Sequence, residues 1–388
     1  MKDSSNAETL PQETRIGRTA LRVDDRSELT EFYRTVVGLD VLDESETRSV
    51  LGVADTPLLV LEGGTDAPAR KRSSAGLYHT AFRVPSRAAL GDALARIREH
   101  SRLTGASDHW VSEALYLTDP EGNGIEIYRD LPREEWPRSD DGRVRIGTEP
   151  LDLDTIEAAG TGDAQATPET DIGHIHLEVS SLDAFRDFYV ETVGFDVQTT
   201  VPAAAFVSAG GYHHHIGANT WQQRTTPVGG RGLSWFEVII PEREALTTVR
   251  SRLGDRGIPV TETDGDLVVH DPDETDPETI AHTRLHVRPR AYRRFGHRRY
   301  CRSGLLRKPM TEPVAAPRLD SESSPSSPSS SSHSSLDMFV RYVSRRMPAS
   351  FTAPPIRPTS RGYPRAASPC TRGSSRRRRG PSPRRRPR

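Results

Sequence analysis

Cysteine is missing from the first 300 residues of this 388-residue chain; Cys301 and Cys370 are the two it has. Disulfides, thiol catalysis and thiolate metal sites are thereby excluded from the long N-terminal part, where any metal must rest on imidazoles and carboxylates. Long apolar runs are missing too. None reaches the roughly 18 residues of a membrane-spanning helix, and the opening MKDSSNAETLPQETR has no apolar core of a secretion signal. No membrane association and a cytoplasmic location are the expectations. There is also no glycine-rich phosphate loop, no Ser-His-Asp order around a nucleophile elbow and no zinc-type ligand spacing.

A formal net charge of −1 conceals a shortage of one sign in each part of the chain. Beyond Ile280 lie 26 of the 53 Lys+Arg but only 4 of the 54 Asp+Glu, which leaves −23 on residues 1–280 and +22 on the rest. An acidic, lysine-poor body of this kind stays hydrated in high salt. The basic part contains SSPSSPSSSSHSS and SSRRRRGPSPRRRPR, which cannot bury a core, so a disordered Ser/Pro/Arg-rich tail is expected over 281–388. Its arginine clusters at 376–379 and 384–386 have no interleaved aromatics and would attract nucleic acid only non-specifically, by charge. A GC-rich gene read out of frame yields such a composition.

The body repeats itself. Residues 16–41, IGRTALRVDDRSELTEFYRTVVGLDV, match residues 172–197, IGHIHLEVSSLDAFRDFYVETVGFDV, at an offset of 156. Each is an alternating strand, then a helical pattern carrying apolar Leu29, Phe32, Tyr33 and Val36 or their counterparts, then a glycine stop at Gly38 or Gly194. The same offset pairs GLYHTAFRVPSRAAL from Gly76 with GLSWFEVIIPEREAL from Gly232. Four β-α-β-β-β modules of roughly 50 residues follow, an α+β fold. In chain order they make a first domain over 14–131, a connector over 132–171 with one short helix near Leu151–Ala158, and a second domain over 172–280.

Module two holds the most informative stretch, HWVSEALYLTDPEGNGIE from His109 to Glu126. Asp119-Pro120-x-Gly122 is turn chemistry, so the strands on either side fold back and bring Tyr116 and Glu126 to one region. The order of His, aliphatic-Tyr, Asp-Pro-x-Gly and Glu closely resembles the signature of extradiol ring-cleaving dioxygenases in the vicinal oxygen chelate superfamily. That superfamily also includes glyoxalases and bleomycin resistance proteins. The one departure is Ser107, at the signature's first position.

The resemblance implies two pseudo-barrel domains and a metal held by two imidazoles and one carboxylate, with one face left open. Its ligands lie on the first strand of each module and the last strand of one. Here the first-strand position reads Arg18, His79, His174 and Trp235 in modules one to four, and module two ends its last strand with Glu126. His79, Glu126 and His174 therefore form the expected metal set, which requires module two to pair with module three. In module four a loose alignment reaches Glu278 through DPDETDPE, so its last strand is expected to be missing or improvised. Glu62, after the apolar run LLVL near the end of module one, reads as a surface charge ahead of a vestigial ligand.

In GYHHHIGANTW a strand would send His214 to one face and His213 and His215 to the other. By resemblance His214 is the acid-base residue, with His215 next, and His109 and Tyr116 hydrogen-bond substrate or oxygen. The activity implied is that of a catechol 2,3-dioxygenase: Fe(II), or Mn(II) with the same ligands, and insertion of O2 into a small aromatic diol beside its hydroxyls. The alternatives are a glyoxalase-like isomerase, which adds a second carboxylate ligand, and a metal-free small-molecule-binding member. The sequence is compatible with a homo-oligomer.

Overall fold

The computed structural model describes residues 9–287, apart from 65, 264–265, 271 and 274–281, with the backbone alone over 282–287. Module one comprises β1 (Arg15–Arg22), α1 (Arg26–Phe32), β2 (Asp40–Glu44), β3 (Arg48–Val53) and β4 (Thr56–Glu62). Module two comprises β5 (Gly76–Arg83), α2 (Arg87–His100), β6 (Gly105–Asp108), β7 (Ser112–Thr118) and β8 (Gly124–Asp130). The connector adds β9 (Glu149–Pro150) and α3 (Leu153–Glu157). Module three follows with β10 (Asp171–Glu178), α4 (Leu182–Arg186), β11 (Asp196–Val201), β12 (Ala204–Ser208) and β13 (Ile216–Asn219). Module four has β14 (Gly232–Ile240), α5 (Arg243–Asp255), β15 (Val260–Thr263), β16 (Asp266–His270) and β17 (His282–Val287). The α+β fold of four βαβββ modules is thus the observed one.

Local chemistry explains the helices. Asp25, Ser86, Asp152 and Ser181 each accept a backbone N–H from the first turn, which satisfies donors that a helix start leaves free. α1 and α4 both run on into a π-turn, Tyr33–Val37 and Asp187–Val193, and each stops at a glycine in the left-handed region, Gly38 (φ 89°) and Gly194 (φ 103°).

The sheets do not follow the chain-order division into 14–131 and 172–280. β5 pairs antiparallel with β10, so modules two and three form one nine-stranded sheet, β11-β12-β13-β10-β5-β8-β7-β6-β9. β1 pairs antiparallel with β14, and modules one and four form an eight-stranded sheet, β15-β16-β17-β14-β1-β4-β3-β2. First strands meet first strands, and each sheet joins modules far apart in sequence. One buried apolar cluster, including Leu29, Leu90, Phe82, Phe185 and Leu253, runs through both.

Module four's last strand, expected to be missing or improvised, is present: β17 lies between β14, parallel, and β16, antiparallel. Pairing is made by backbone groups, so HTRLHV completes the sheet without the Asp-Pro-x-Gly turn. It lies past the expected 280 boundary; Glu278 and the chain beyond 287 lie outside the described residues. The connector carries one short helix, α3, within the expected 151–158. Trp136 and Val144 are buried against Val111 and Tyr212, and α3 packs its buried Ile156 beside Gly91 of α2. Among the described residues no helix is long and apolar enough to cross a membrane.

A chain ended at 280 loses β17 and leaves β14 and β16 without the strand bonded between them. Its melting temperature, followed by circular dichroism, is expected to lie more than about 5 °C below that of a chain ended at 290. Equal melting would show that β17 adds no stability.

Candidate metal centre

The centre is built on neighbouring strands. In the order β10-β5-β8-β7, register places His174 beside Ala81, Ala81 beside Glu126, and Glu126 beside Tyr116. The methyl of Ala81 leaves the flanking imidazole and carboxylate free to converge over it. His79, two residues before Ala81, points to the same face. The turn that returns β8 is tied by Asp119, whose carboxylate accepts the Glu121 and Asn123 backbone N–H groups at 3.0 and 2.8 Å. Gly122 there has φ 85°, an angle that disfavours other residues.

His79, Glu126 and His174 come together. His79 Nε2 and His174 Nε2 stand 3.0 and 3.2 Å from Glu126 Oε2 and 3.3 Å from each other, and all three side chains are buried. Adjacent ligands in an octahedral shell with bonds of about 2.1 Å lie about 3.0 Å apart. The donor atoms thus have the spacing of one face of such a shell, and the group is the one able to hold a metal among the described residues, with a single carboxylate. Burial would raise the Glu126 carboxyl, but the His174 and His79 imidazoles hold it well below the usual carboxylate range. Burial pushes His174 down to about 4 against the pull of Glu126. Near neutral pH the set offers an ionised carboxylate and an uncharged His174, the forms that coordinate.

His109 and Tyr116 form one unit. His109 Nδ1 lies 2.7 Å from the Gly147 carbonyl, which can only accept, so Nδ1 carries the proton and Nε2 is bare. The Tyr116 hydroxyl, 2.7 Å away, therefore donates to Nε2 and keeps its lone pairs for the cavity. Burial lowers His109 and raises Tyr116 well above its ordinary value, so neither is charged.

The histidine run departs from expectation. Gly210 and Gly211, at φ 61° and 63°, open a turn, and β13 starts only at Ile216. Alternation across a strand does not apply, so His213 and His214 touch, with their Nδ1 atoms 2.8 Å apart. The His214 ring lies 4.1 Å from the His174 ring, tilted by 47°, and lines the cavity. His215 does not reach it; its ring stacks on Tyr212 at 4.8 Å and its Nδ1 accepts the Ala209 N–H.

A cavity opens over these groups. Tyr78, Val111, Ile146, Phe206 and Trp221 supply apolar or aromatic wall, Ser107 lies in it too, and no described wall residue is Arg or Lys. His176 was missed by sequence reasoning. It sits two residues past His174, on the same face, and faces His79 in register, its Nε2 accepting from Asn219 Nδ2 at 3.1 Å. Period-two alternation in GHIHLE carried that signal.

The other sheet has no such centre among the described residues. Arg18 pairs with Glu237, Trp235 Nε1 donates to Glu62 at 3.0 Å, and Val60, beside Ala20, occupies the place that Glu126 has beside Ala81. Glu62 is an indole and hydroxyl acceptor, bonded also by Ser234 at 2.7 Å, rather than a surface charge.

Four repeated modules in two sheets, with one facial His, His, Glu group, mark a class of metal-using enzymes and binding proteins. The chain belongs to the glyoxalase/bleomycin resistance protein/dioxygenase superfamily, whose sequence profile matches residues 15–127 and 171–276. It is 40% identical over 274 residues to a catechol-2,3-dioxygenase of Bacillus subtilis (strain 168), spanning 68% of this chain and 96% of that protein. It is 29% identical over 120 residues to biphenyl-2,3-diol 1,2-dioxygenase 3 of Rhodococcus globerulus, spanning 30% and 63%. The crystal structure of glyoxalase I from Zea mays aligns at 14% identity and TM-score 0.44, covering 70% of this chain and 92% of that one.

Burial pushes His215 down to about 3, far below the 6.5 or so of an unfolded chain. Between these values the unfolded state binds the extra proton, so stability is intact above about pH 6.5 and falls as pH falls toward 3. In metal-free protein, His215→Phe is expected to shift the unfolding free-energy gap in the variant's favour by about 1.4 kcal/mol per pH unit between pH 6 and 4. Denaturant titration measures this; a gap constant with pH would show that His215 titrates normally.

Proposed function

We propose that the protein is an extradiol ring-cleaving dioxygenase of the catechol 2,3-dioxygenase type. The convergence of His79, His174 and Glu126 at the spacing of a facial ligand set carries this reading. The 40% identical catechol-2,3-dioxygenase supports it. A metal-free binding module has no need of three buried donors pointed at one place. In this reading His79, Glu126 and His174 hold Fe(II), which Mn(II) can replace because the same ligands suit both. Such an ion would supply Lewis acidity toward the catechol hydroxyls and a route for electrons between ring and dioxygen.

The remaining work falls to the chain's own groups. Tyr78, Phe206 and Trp221 enclose the ring and exclude water from it. His214 faces the same cavity and acts as general base and later general acid, taking a hydroxyl proton and returning it. Tyr116, its hydroxyl proton committed to His109, offers lone pairs to a substrate O–H. Adding both atoms of O2 to catechol, with cleavage of the ring bond beside a hydroxyl, gives 2-hydroxymuconic semialdehyde.

Anaerobic loading with Fe(II), followed by catechol and air, is expected to produce the yellow ring-fission product. His79→Ala and Glu126→Gln are expected to lower kcat by about 10³-fold or more, and a chelator to abolish turnover in the native protein. Absence of product from the loaded protein would refute the proposal.

Among the described residues the cavity wall has no Arg or Lys, so a carboxylate on the ring would be buried without such a partner, at a cost of several kcal/mol. 3,4-Dihydroxybenzoate is accordingly expected to show kcat/KM about 100-fold or more below catechol; comparable values would show that the ring's far edge stays in solvent.

A further inference from the structure

Beside the metal ligands lies a second, partly buried chain of polar groups whose inner members the reaction outlined above does not use. β8 carries Glu126, Tyr128 and Asp130 on one face, and Asp130 is the last residue of that strand. Its carboxylate receives Tyr212 OH at 3.1 Å, Arg83 Nη1 at 3.1 Å and His213 Nε2 at 3.0 Å. His213 is fully buried, between the Tyr212 ring at 4.1 Å and the Trp136 ring at 5.3 Å, and its other nitrogen meets His214. The strand that presents the carboxylate to the metal ligands thus presents another to the histidine pair.

The donors and acceptors along this chain can be assigned. Asp130, already accepting from a guanidinium and a hydroxyl, has only lone pairs to offer, so the proton of that contact sits on His213 Nε2. An imidazole protonated there has a bare Nδ1, which must accept, so the proton between the two rings sits on His214 Nδ1. His214 Nε2, with no protein partner given by the hydrogen bonds of the described residues, is then left bare on the ring that lines the cavity.

We propose that Asp130 and His213 are positioning residues that hold His214 in the tautomer whose Nε2 accepts a proton from the substrate. This rests on the reading of His214 as the general base. When Nε2 takes a hydroxyl proton, the positive charge formed on His214 is shared through Nδ1–H and His213 with the Asp130 carboxylate. The proton is returned from Nε2, and Nδ1–H never leaves the pair. Neither His213 nor Asp130 touches the substrate.

The test reads tautomer and turnover separately. In metal-free protein with 15N-labelled histidine, long-range nitrogen–proton correlation is expected to show His214 with a protonated Nδ1 and an imine-type Nε2. In His213→Phe, which keeps a ring between Tyr212 and Trp136, the fixed tautomer is expected to give way to exchange between both forms. After Fe(II) loading that variant should lose about ten- to a hundred-fold in kcat with KM for catechol nearly unchanged. His213→Gln, whose amide can donate to Asp130 and accept from His214, should restore the tautomer and most of kcat. The His213→Phe, His214→Phe pair should be no slower than His214→Phe alone, since residues acting as a unit are not additive. A protonated Nε2 in the native protein, or a His213→Phe variant with kcat within two-fold of native, would overturn the proposal. If the loaded native protein turns over no catechol, the dioxygenase reading fails, and the tautomer measurement still decides whether the relay exists.

Discussion

The antiparallel pairing of β5 with β10 is the constraint on which the rest depends. It sets His174 beside Ala81 and His176 opposite His79, and β8 then adds Glu126 on the far side of Ala81. One small residue in the middle of that row lets the larger ones lean together. A one-residue slip of β10 against β5 would send His174 to the opposite face and dissolve the centre. The register is protected by apolar residues near the ligands along the same strands, Ile172 and Ile175 on β10 and Phe82 on β5, all buried in the core.

The second sheet repeats this layout with different chemistry. Where the first gathers two imidazoles and a carboxylate, the second has Arg18, Trp235 and Val60, with Arg18 lying over the Trp235 ring and paired to Glu237. It still serves the site. The backbone N–H groups of Asp24 and Asp25 donate to Glu121 at 2.7 and 3.0 Å, and Tyr33 OH donates to Asp119 at 3.1 Å. Module one therefore grips the turn that leads into β8, and with it the strand carrying Glu126 and Asp130.

Electrostatics gives the cavity its character. Burial pushes His174, His176 and His214 below their ordinary values, and the repulsion that neighbouring imidazolium charges would feel adds to it. Neutral imidazoles with bare nitrogens are both ligands and bases, so the burial that weakens the protein toward acid also prepares the site. The connector takes part: Gly147 orients His109, and Trp136 packs on His213.

Much of this was legible in the chain itself. The 156-residue repeat, the Asp-Pro-x-Gly turn and the first-strand residues Arg18, His79, His174 and Trp235 identify the modules and the three metal-set residues, because strand alternation and turn chemistry are local. What only the tertiary structure decided is what crosses between modules. The pairing of module two with module three was implied by the places of His79, Glu126 and His174, but strand partners are chosen by packing over hundreds of residues, so the register of that pairing and the presence of β17 after a lost motif could not be read locally. The histidine run was misread for a different reason: Gly210 and Gly211 at positive φ replace a strand with a turn. His213 and Asp130, 83 residues apart, meet because β8 and the turn before β13 come together at one place in the folded sheet.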